Sequence, residues 1–258
     1  FAHGDIIMVG AYVALFSLTM AGMPLWAAVL CSMAFCAATG MLIERVAYRR
    51  LRVKNAPRIS LLITAIGVSI FLQNLAQLLF GSSGRSFPNM ITAEPIAFGD
   101  KTISVTTIVT IVTTLVIMVL LQLLVNKSKI GKAMRAVSED AGAAKLMGIN
   151  TNVTISVTFA IGSALAAVGA VLYSTTYPSV TPYMGSLLGL KAFVAAVLGG
   201  IGSIPGAMFG GFLIGIAETL TKAYISSQLA DAVVFGILIV VLLFKPAGLL
   251  GKNVSEKV

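Results

Sequence analysis

Long apolar runs separated by short polar links dominate this chain of 258 residues. A bilayer core about 30 Å thick requires ~20 apolar residues per transmembrane helix, because each residue adds about 1.5 Å. Runs of nearly this length, each with at most one charged residue, are 6–21, 25–43, 60–80, 104–125, 152–176, 205–221 and 229–244. These runs predict an all-α fold, a polytopic transmembrane helical bundle of about seven to eight hydrophobic segments.

An eighth apolar run, residues 190–201, is short. Twelve helical residues cover only about 18 Å, which is less than the bilayer core. We expect this run to form a short, tilted or re-entrant element, and its length alone does not say whether it crosses the membrane.

The composition excludes an ordinary soluble domain. Hydrophobic residues make up 58% of the chain and charged residues 10%, whereas charged residues are about a quarter of a typical soluble protein. A net charge of +9 would indicate nucleic acid as a partner of a soluble protein, but here the positive charge lies in the links between apolar runs. We therefore expect membrane lipid around the chain and no nucleic acid.

The basic residues are distributed unevenly between the links. One group, between the second and third runs, is Arg45, Arg49, Arg50, Arg52, Lys54 and Arg58. A second group, between the fourth and fifth runs, is Lys127, Lys129, Lys132, Arg135 and Lys145. Because cytoplasmic links carry the excess of lysine and arginine, both links are predicted to be cytoplasmic.

The remaining links are predicted to face outward. Residues 81–103 contain two basic and two acidic residues, the latter Glu94 and Asp100, and residues 177–188 carry no charge. Lys245, Lys252 and Lys257 place the C-terminus in the cytoplasm. If residues 190–201 count as a crossing, parity places Phe1 inside as well.

An enzyme is the first functional class to exclude. His3 is the only histidine, so a Ser/His/Asp or Cys/His catalytic site would have to be built around this one residue. No phosphate-binding G-x-x-x-x-G-K-[ST] motif occurs, so any ATP hydrolysis is expected on a separate subunit. We predict no catalytic residue, no metal and no cofactor. Cys31 and Cys36, five apart in one apolar run, are expected to be packing residues.

A charged, helix-prone segment, residues 131–150, interrupts the apolar runs. Residues 132–147 are predicted to form one cytoplasmic surface helix, with Met134, Val137, Ala141, Ala144 and Leu146 on its apolar side. Arg135 and Glu139 have the spacing of an i,i+4 ion pair, and Gly148 is a suitable residue to end the helix.

Within this segment, Ala143, Ala144 and Gly148 match A-A-x-x-x-G, part of the E-A-A-x-x-x-G loop that importer permeases present to their ATPases. Gly142 stands where that loop has glutamate. An ordinary membrane-surface helix is the alternative interpretation.

Four stretches together give the chain its family resemblance: FAHGDIIMVGAY, KAMRAVSEDAGAAKLMGIN, LGLKAFVAAVLGGIGSIPGAMFGGFLIGIAE and FKPAGLLG. They resemble the permease subunits of bacterial branched-chain amino acid ABC importers of the LivH type. The resemblance implies a single permease domain over residues 1–258 in the bacterial cytoplasmic (inner) membrane. It also implies a second permease subunit, ATP-binding cassette subunits and an external substrate-binding protein as partners, and a further helix before Phe1, so that the chain is N-terminally truncated.

Other functions remain open at this stage. Permeases for urea and short amides share most of the same motifs. A self-contained secondary transporter or channel is a different class, but it would favour carboxylates paired with broken helices inside the membrane, and here the acidic residues cluster near helix ends. A membrane structural or assembly protein is a third class.

Glycines mark the last third of the chain. Gly206, Gly210, Gly211 and Gly215 form two overlapping G-x-x-x-G pairs, which allow close helix packing in lipid or provide a smooth wall for an apolar solute. Just before them, GGIGSIPG predicts either a gate or a tight turn between helices. The glycines of interest in that stretch are Gly199, Gly200 and Gly202.

Polar residues within the apolar runs are few. Gln73, Asn74 and Gln77 are candidates for solute contacts or for hydrogen bonds between helices. Asp5 and His3 are placed near a membrane end. Three further ionisable sites are of interest. Lys191 lies at the start of the short run, and Glu218 and Lys222 have the spacing of an i,i+4 ion pair. Asp231 is a carboxylate in the first turn of the last helix, where it complements the helix dipole.

Overall fold

The computed structural model of the chain describes residues 2–54, 56–88, 96–98 and 101–251. Five residues on which the predicted orientation partly depends lie outside these ranges: Phe1, Glu94, Asp100, Lys252 and Lys257. The helices are α1 (Ala2–Thr19), α2 (Leu25–Ile43), α3 (Arg49–Val53), α4 (Arg58–Phe80), α5 (Val105–Lys127), α6 (Lys129–Glu139), α7 (Ala141–Leu146), α8 (Thr151–Thr176), α9 (Met184–Gly199), α10 (Ile204–Tyr224) and α11 (Ala230–Phe244).

Two shorter helical pieces complete the set. A π-helical turn, Glu44–Tyr48, continues α2 into α3, and a 3-10 turn, Ser227–Leu229, precedes α11. Among the described residues, the helices long and apolar enough to cross a membrane are Ala2–Thr19, Leu25–Val53, Ile59–Phe80, Val105–Lys127, Thr151–Thr176, Ile204–Tyr224 and Ser227–Phe244. These seven helices confirm the predicted polytopic all-α fold.

Short polar residues begin several of these helices. Ser128 Oγ accepts a hydrogen bond from the Gly131 amide at the start of α6, and Ser203 Oγ accepts one from the Gly206 amide at the start of α10. Such caps satisfy backbone N–H groups that have no partner within a helix. Local sequence therefore fixes where these helices begin.

Helix α9 is longer than the run from which it was predicted. The expected element covered residues 190–201, whereas the helix begins at Met184 and ends at Gly199. The added residues 184–188 belong to the stretch that was predicted to be an outward link. At 16 residues, α9 is about 24 Å long and remains shorter than the seven long helices.

The chain divides into two compact units, Phe1–Gly189 and Leu190–Val258. In the first unit, α1 is the most enclosed helix, with 67% of its residues buried, whereas no residue of α5 is buried. Helices α1, α2 and α8 pack together at the centre. The bare surface of α5 is apolar, as expected for a helix that faces lipid or another subunit.

Small residues allow this close packing. A Cβ atom added to Gly10 of α1 would lie 3.0 Å from Cα of Ala167 in α8. Ser32 Oγ of α2 donates to the Gly10 carbonyl at 2.8 Å, and Cys36 Sγ lies 3.6 Å from the Ile6 carbonyl. In lipid the hydrophobic effect does not drive helices together, so close packing and hydrogen bonds of this kind stabilise their association.

Of the two cysteines expected to be packing residues, only Cys36 is buried, and Cys31 is exposed. Five residues correspond to about 500° of helix rotation, so the two side chains point about 140° apart. The prediction for Cys31 is corrected accordingly.

Two small antiparallel pairs lie outside the helices. In the first, β1 (Arg85–Ser86) pairs with β4 (Ser179–Val180), and in the second, β2 (Ile96–Phe98) pairs with β3 (Lys101–Ile103). Strand β1 follows α4 and β4 follows α8, so these two helices end on the same face. This agrees with the charge pattern, which assigns both links to one side of the membrane.

The second unit is centred on a small apolar core. Its buried residues are Val194 and Leu198 of α9, Ile214 of α10 and Val234 of α11. Each of the three helices therefore contributes to the core of this unit.

Candidate functional site

The charged segment between α5 and α8 folds as two helices, whereas one helix over residues 132–147 was predicted. Helices α6 and α7 separate at Asp140, whose backbone is extended at φ −150° and ψ 108°. Asp140 Oδ1 accepts hydrogen bonds from the amides of Gly142 at 2.7 Å and Ala143 at 3.0 Å. The helix stops and restarts there because this carboxylate caps the first turn of α7. We refer to residues 129–148 as the α6–α7 segment.

Helix α7 has one packed side and one bare side. Ala144 is buried, with 4% of its surface exposed, whereas Leu146 and Met147 are 91% and 82% exposed. Leu146 was predicted on the packed side of a longer helix, and the break at Asp140 turns it outward. Leu146 and Met147 thus form a small exposed apolar surface at the end of the segment.

Gly148 ends this segment as predicted. Its φ of +82° lies in the left-handed region, which glycine adopts without a steric penalty. The amide of the next residue, Ile149, donates to the Ala144 carbonyl at 3.0 Å and closes the end of α7.

The predicted ion pair between Arg135 and Glu139 is not formed among the described residues. Both residues are exposed on α6, and Arg135 Nη2 donates to the Asn126 carbonyl at 3.3 Å. The guanidinium therefore reaches back to the last turn of α5. This correction leaves both side chains on the solvent side of the segment.

The glycine-rich stretch forms a tight helical hairpin in the second unit. A Cβ atom on Gly206 of α10 would lie 2.9 Å from Ser203 Oγ and 3.0 Å from the carbonyl carbon of Gly199 in α9. A Cβ atom on Gly210 would lie 2.9 Å from the Gly199 amide nitrogen. The first G-x-x-x-G pair therefore brings the backbones of α9 and α10 into contact.

The second glycine pair is different. A Cβ atom on Gly211 would meet only the side chain of Ala195, at 3.8 Å, and one on Gly215 would meet nothing within 4 Å. These two positions therefore have space around them in the second unit.

The turn between α9 and α10 requires glycine. Gly200 and Gly202 have φ values of +106° and +93°. A C-terminal segment packs against this turn: the amides of Leu249 and Leu250 donate to the carbonyls of Leu198 at 2.9 Å and Gly199 at 3.0 Å. These bonds satisfy carbonyls that lack partners at the end of α9. The stretch GGIGSIPG is thus a tight turn supported by FKPAGLLG.

The three amides of α4 do not converge on one point. Gln73 Nε2 donates to Asp5 Oδ1 at 2.9 Å, and Asn74 Nδ2 donates to the Ile70 carbonyl at 2.8 Å. Gln77 Oε1 accepts from the Tyr183 hydroxyl at 2.9 Å. Gln73 and Gln77 therefore form contacts between segments, and Asn74 bonds within its own helix.

Asp5 lies deeper than the sequence indicated. It is fully buried and also accepts a hydrogen bond from Ser69 Oγ. Because Ser69 and Gln73 lie near the middle of α4, Asp5 is level with the centre of that helix and not with a membrane end. A Cβ atom on Gly185 of α9 would lie 2.9 Å from Asp5 Oδ1, so glycine leaves room for this carboxylate.

Four charged residues of the second unit form one cluster. Lys222 Nζ lies 2.6 Å from Glu218 Oε1, which confirms the predicted i,i+4 pair. Lys191 Nζ lies 2.9 Å from the same oxygen and 2.8 Å from Asp231 Oδ1. Asp231 was predicted only to complement the dipole of α11, and it also neutralises a lysine of α9. Sequence spacing could not reveal a bond between residues 40 positions apart.

A metal centre does not emerge from the part of the chain that the structure describes. No group of three or more His, Cys, Asp or Glu side chains there could hold a metal ion. The polar groups of interest are the α6–α7 segment, the Asp5 contacts and the Lys191 cluster.

The chain is similar to known proteins over its whole length. The family described as "Branched-chain amino acid transport system / permease component" matches residues 1–243. The high-affinity branched-chain amino acid transport system permease protein BraD of Pseudomonas aeruginosa is 45% identical over 271 residues, which cover 100% of this chain and 87% of BraD. The corresponding LivH protein of Salmonella typhimurium is 43% identical over 270 residues, with the same coverage of each chain.

A more distant relative is the probable branched-chain amino acid transport permease protein LivH of Methanocaldococcus jannaschii. It is 30% identical over 266 residues, which cover 97% of this chain and 82% of the relative. No solved structure matches the chain. All three relatives are named as permease proteins, which confirms the prediction of a transport subunit. The chain belongs to the family of permease components of branched-chain amino acid transport systems.

Proposed function

We propose that this chain is the transmembrane permease subunit of an ATP-driven importer for leucine, isoleucine and valine. The observation that carries the proposal is the 43–45% identity to BraD and LivH across the whole chain. Residues 1–258 act as a single permease domain, which provides the path across the bacterial inner membrane.

The α6–α7 segment is the proposed contact with the ATP-binding subunits. Leu146 and Met147 are exposed, apolar and adjacent to a helix end that Gly148 fixes. A partner protein that covered this apolar pair would remove it from water, which favours association. The exposed Arg135 and Glu139 of α6 belong to the same proposed contact surface, and Ala144 is the buried residue of α7.

The path for the solute is proposed to be largely apolar. Gly199, Gly200, Gly202, Gly206 and Gly210 shape the hairpin, whereas Gly211 and Gly215 leave space that an apolar side chain could pass. Of the three amides, Asn74 is exposed and bonds only within its own helix among the described contacts, so it is the freest to meet the solute.

The partners follow from the same proposal. A second permease subunit pairs with this chain, two ATP-binding cassette subunits bind the cytoplasmic side, and an external binding protein delivers the amino acid. The excess of lysine and arginine in the basic links supports a cytoplasmic location for the α6–α7 segment and the C-terminus.

Reconstitution tests the proposal. The permease, its partner permease, the ATP-binding subunits and the binding protein encoded with them are placed in proteoliposomes, and uptake of labelled leucine is measured with and without ATP. We expect ATP-dependent uptake of leucine, isoleucine and valine. ATP-dependent uptake of urea in place of these amino acids would assign the chain to the amide importers, and leucine uptake driven by an ion gradient without ATP would make it a secondary transporter.

A further inference from the structure

A fully buried carboxylate lies at the end of α2, where the π-helical turn begins. Glu44 has no exposed surface, and its Oε1 accepts a hydrogen bond from Arg52 Nη2 at 2.8 Å. Its Oε2 accepts a second hydrogen bond from the hydroxyl of Ser156 in α8. The sequence shows Arg52 only as one of the six basic residues in the link between the second and third apolar runs, and no motif or spacing marks Glu44 as a partner.

Arg52 extends the contact to a second residue of α8. The same Nη2 atom donates to Asn152 Oδ1 at 3.0 Å. Asn152 and Ser156 lie one turn apart at the start of α8, so the two residues present their polar groups on one side of that helix. We call Glu44, Arg52, Asn152 and Ser156 the polar clasp.

The polar clasp binds α8 directly after the α6–α7 segment. Helix α7 ends at Leu146 and α8 begins at Thr151, so only a short turn that contains Gly148 separates them. Asn150 Oδ1 accepts from the Val153 amide at 3.2 Å and caps α8. A displacement of α7 therefore acts directly on the turn of α8 that the clasp holds.

Beyond the clasp, α2 and α8 stay in contact along their length. The rings of Tyr48 and Phe159 lie 5.6 Å apart, and a Cβ atom on Gly40 would lie 2.8 Å from Cβ of Ser163. These contacts leave little room for the two helices to slide. A displacement at the start of α8 therefore passes to α2 if the clasp holds the ends together.

Net stability is a poor explanation for the clasp. Burying Glu44 costs desolvation energy that offsets much of its attraction to Arg52, whose side chain is 32% exposed, so the pair contributes little net stability. A π-helical turn is also rare and occurs often at functional positions. Here this turn begins with Glu44 itself.

We propose that the polar clasp transmits movement of the α6–α7 segment to α2, with Glu44 as the positioning residue. The inference rests on the proposed function, because it requires an ATPase that moves this segment. The four side chains of the polar clasp, which lie outside the proposed ATPase contact, would then link ATP hydrolysis to movement of the transmembrane helices.

The test uses the complete importer in proteoliposomes and measures leucine molecules transported per ATP hydrolysed. The variants are Ser156→Ala and Asn152→Ala, which keep the Glu44–Arg52 pair, together with Glu44→Gln. Thr158→Val is the matched control, because its hydroxyl donates to the Thr154 carbonyl within α8 at 2.8 Å. Arg50→Gln is the second control, since it removes an exposed positive charge from the same link.

We expect the Ser156 and Asn152 variants to assemble with the ATPase and to hydrolyse ATP, while transport per ATP falls by about tenfold. The controls should stay within about twofold of the unmodified importer. Combining Ser156→Ala with Asn152→Ala should lower transport less than the product of the single effects, because both act through one clasp.

An unchanged ratio in both single variants would overturn the inference, as would an equal loss in Thr158→Val. If Glu44→Gln folds, its ratio should fall as well, and an unchanged ratio would remove Glu44 from the proposed role; if it does not fold, the two α8 variants decide. An unmodified importer without leucine uptake would overturn the proposed function and the inference together, whereas normal uptake with an unchanged ratio in the variants overturns the inference alone.

Discussion

Lys191 Nζ lies 2.9 Å from Glu218 Oε1 and connects the middle of α9 to the last turns of α10. Asp231 of α11 bonds the same ammonium group at 2.8 Å, and Lys222 bonds the same glutamate. Two positive and two negative charges thus form a neutral cluster that connects α9, α10 and α11. In a membrane protein, such pairing is how ionisable side chains are accommodated.

This cluster predicts unequal effects of charge removal. Glu218→Gln leaves Lys222 without its carboxylate and Lys191 with only Asp231, so we expect a destabilisation of about 1–3 kcal/mol. Lys222→Gln should cost less, because the Lys222 side chain is 44% exposed. Thermal unfolding of the two purified variants in detergent measures the difference. Equal melting temperatures for Glu218→Gln and the unmodified protein would contradict the prediction.

The two glycine pairs of α10 predict opposite outcomes for the same substitution. Gly210→Val should disrupt the hairpin and cost about 1–3 kcal/mol or more, because its Cβ would meet the backbone of α9. Gly215→Val is the control, since a Cβ there meets nothing within 4 Å in the second unit. Membrane expression and thermal unfolding of both variants provide the comparison. A Gly210→Val protein as stable as Gly215→Val would refute the close contact.

The left-handed conformation of Gly148 predicts a loss of transport from a β-branched substitution. Gly148→Val should strain the end of α7 by about 1–2 kcal/mol and misplace the exposed Leu146 and Met147. Gly169→Val, in α8, is the control, because it has an ordinary helical backbone and open space. Leucine uptake and copurification of the ATP-binding subunits are the measurements. Full uptake together with full copurification in Gly148→Val would remove the α6–α7 segment from its proposed role.

The scarcity of free polar groups predicts weak binding of the solute by the permease. The described intramembrane carboxylates, Asp5, Glu44, Glu218 and Asp231, are already bonded to other side chains. A zwitterion placed among apolar side chains without matched partners would lose several kcal/mol in desolvation. We expect leucine to bind the purified permease and ATPase, without binding protein, at roughly millimolar affinity or weaker, about 4 kcal/mol at most. Micromolar binding by calorimetry would show that selectivity resides in the permease.

The basic links predict the orientation in the membrane. A cysteine at Ser82, in the link after α4, should react with an impermeant thiol reagent added outside intact cells, and one at Lys132 should not. Both positions are exposed, so access to the reagent depends on the side of the membrane. A variant with Cys31 replaced is the background, because that thiol is exposed on α2. Labelling of the Lys132 position from outside would reverse the orientation.

The sequence by itself determined the type of the long helices and, to within one, their number. Apolar length is a local property, and each long run became a helix because lipid leaves the backbone no other partner for its N–H and C=O groups. Local signals also fixed helix ends, such as Ser203 before α10 and Gly148 after α7. The α6–α7 segment and the glycine turn could be located for the same reason.

The tertiary structure alone decided which distant residues meet. Lys191 and Asp231, or Glu44 and Ser156, are far apart in the chain, and no periodicity relates them. The depth of Asp5 likewise depends on which turn of α4 packs beside α1. Helix length and apolar patterning are written in neighbouring residues, whereas the partners of a buried charge are set by helix packing, which depends on small residues and close contacts across the whole bundle.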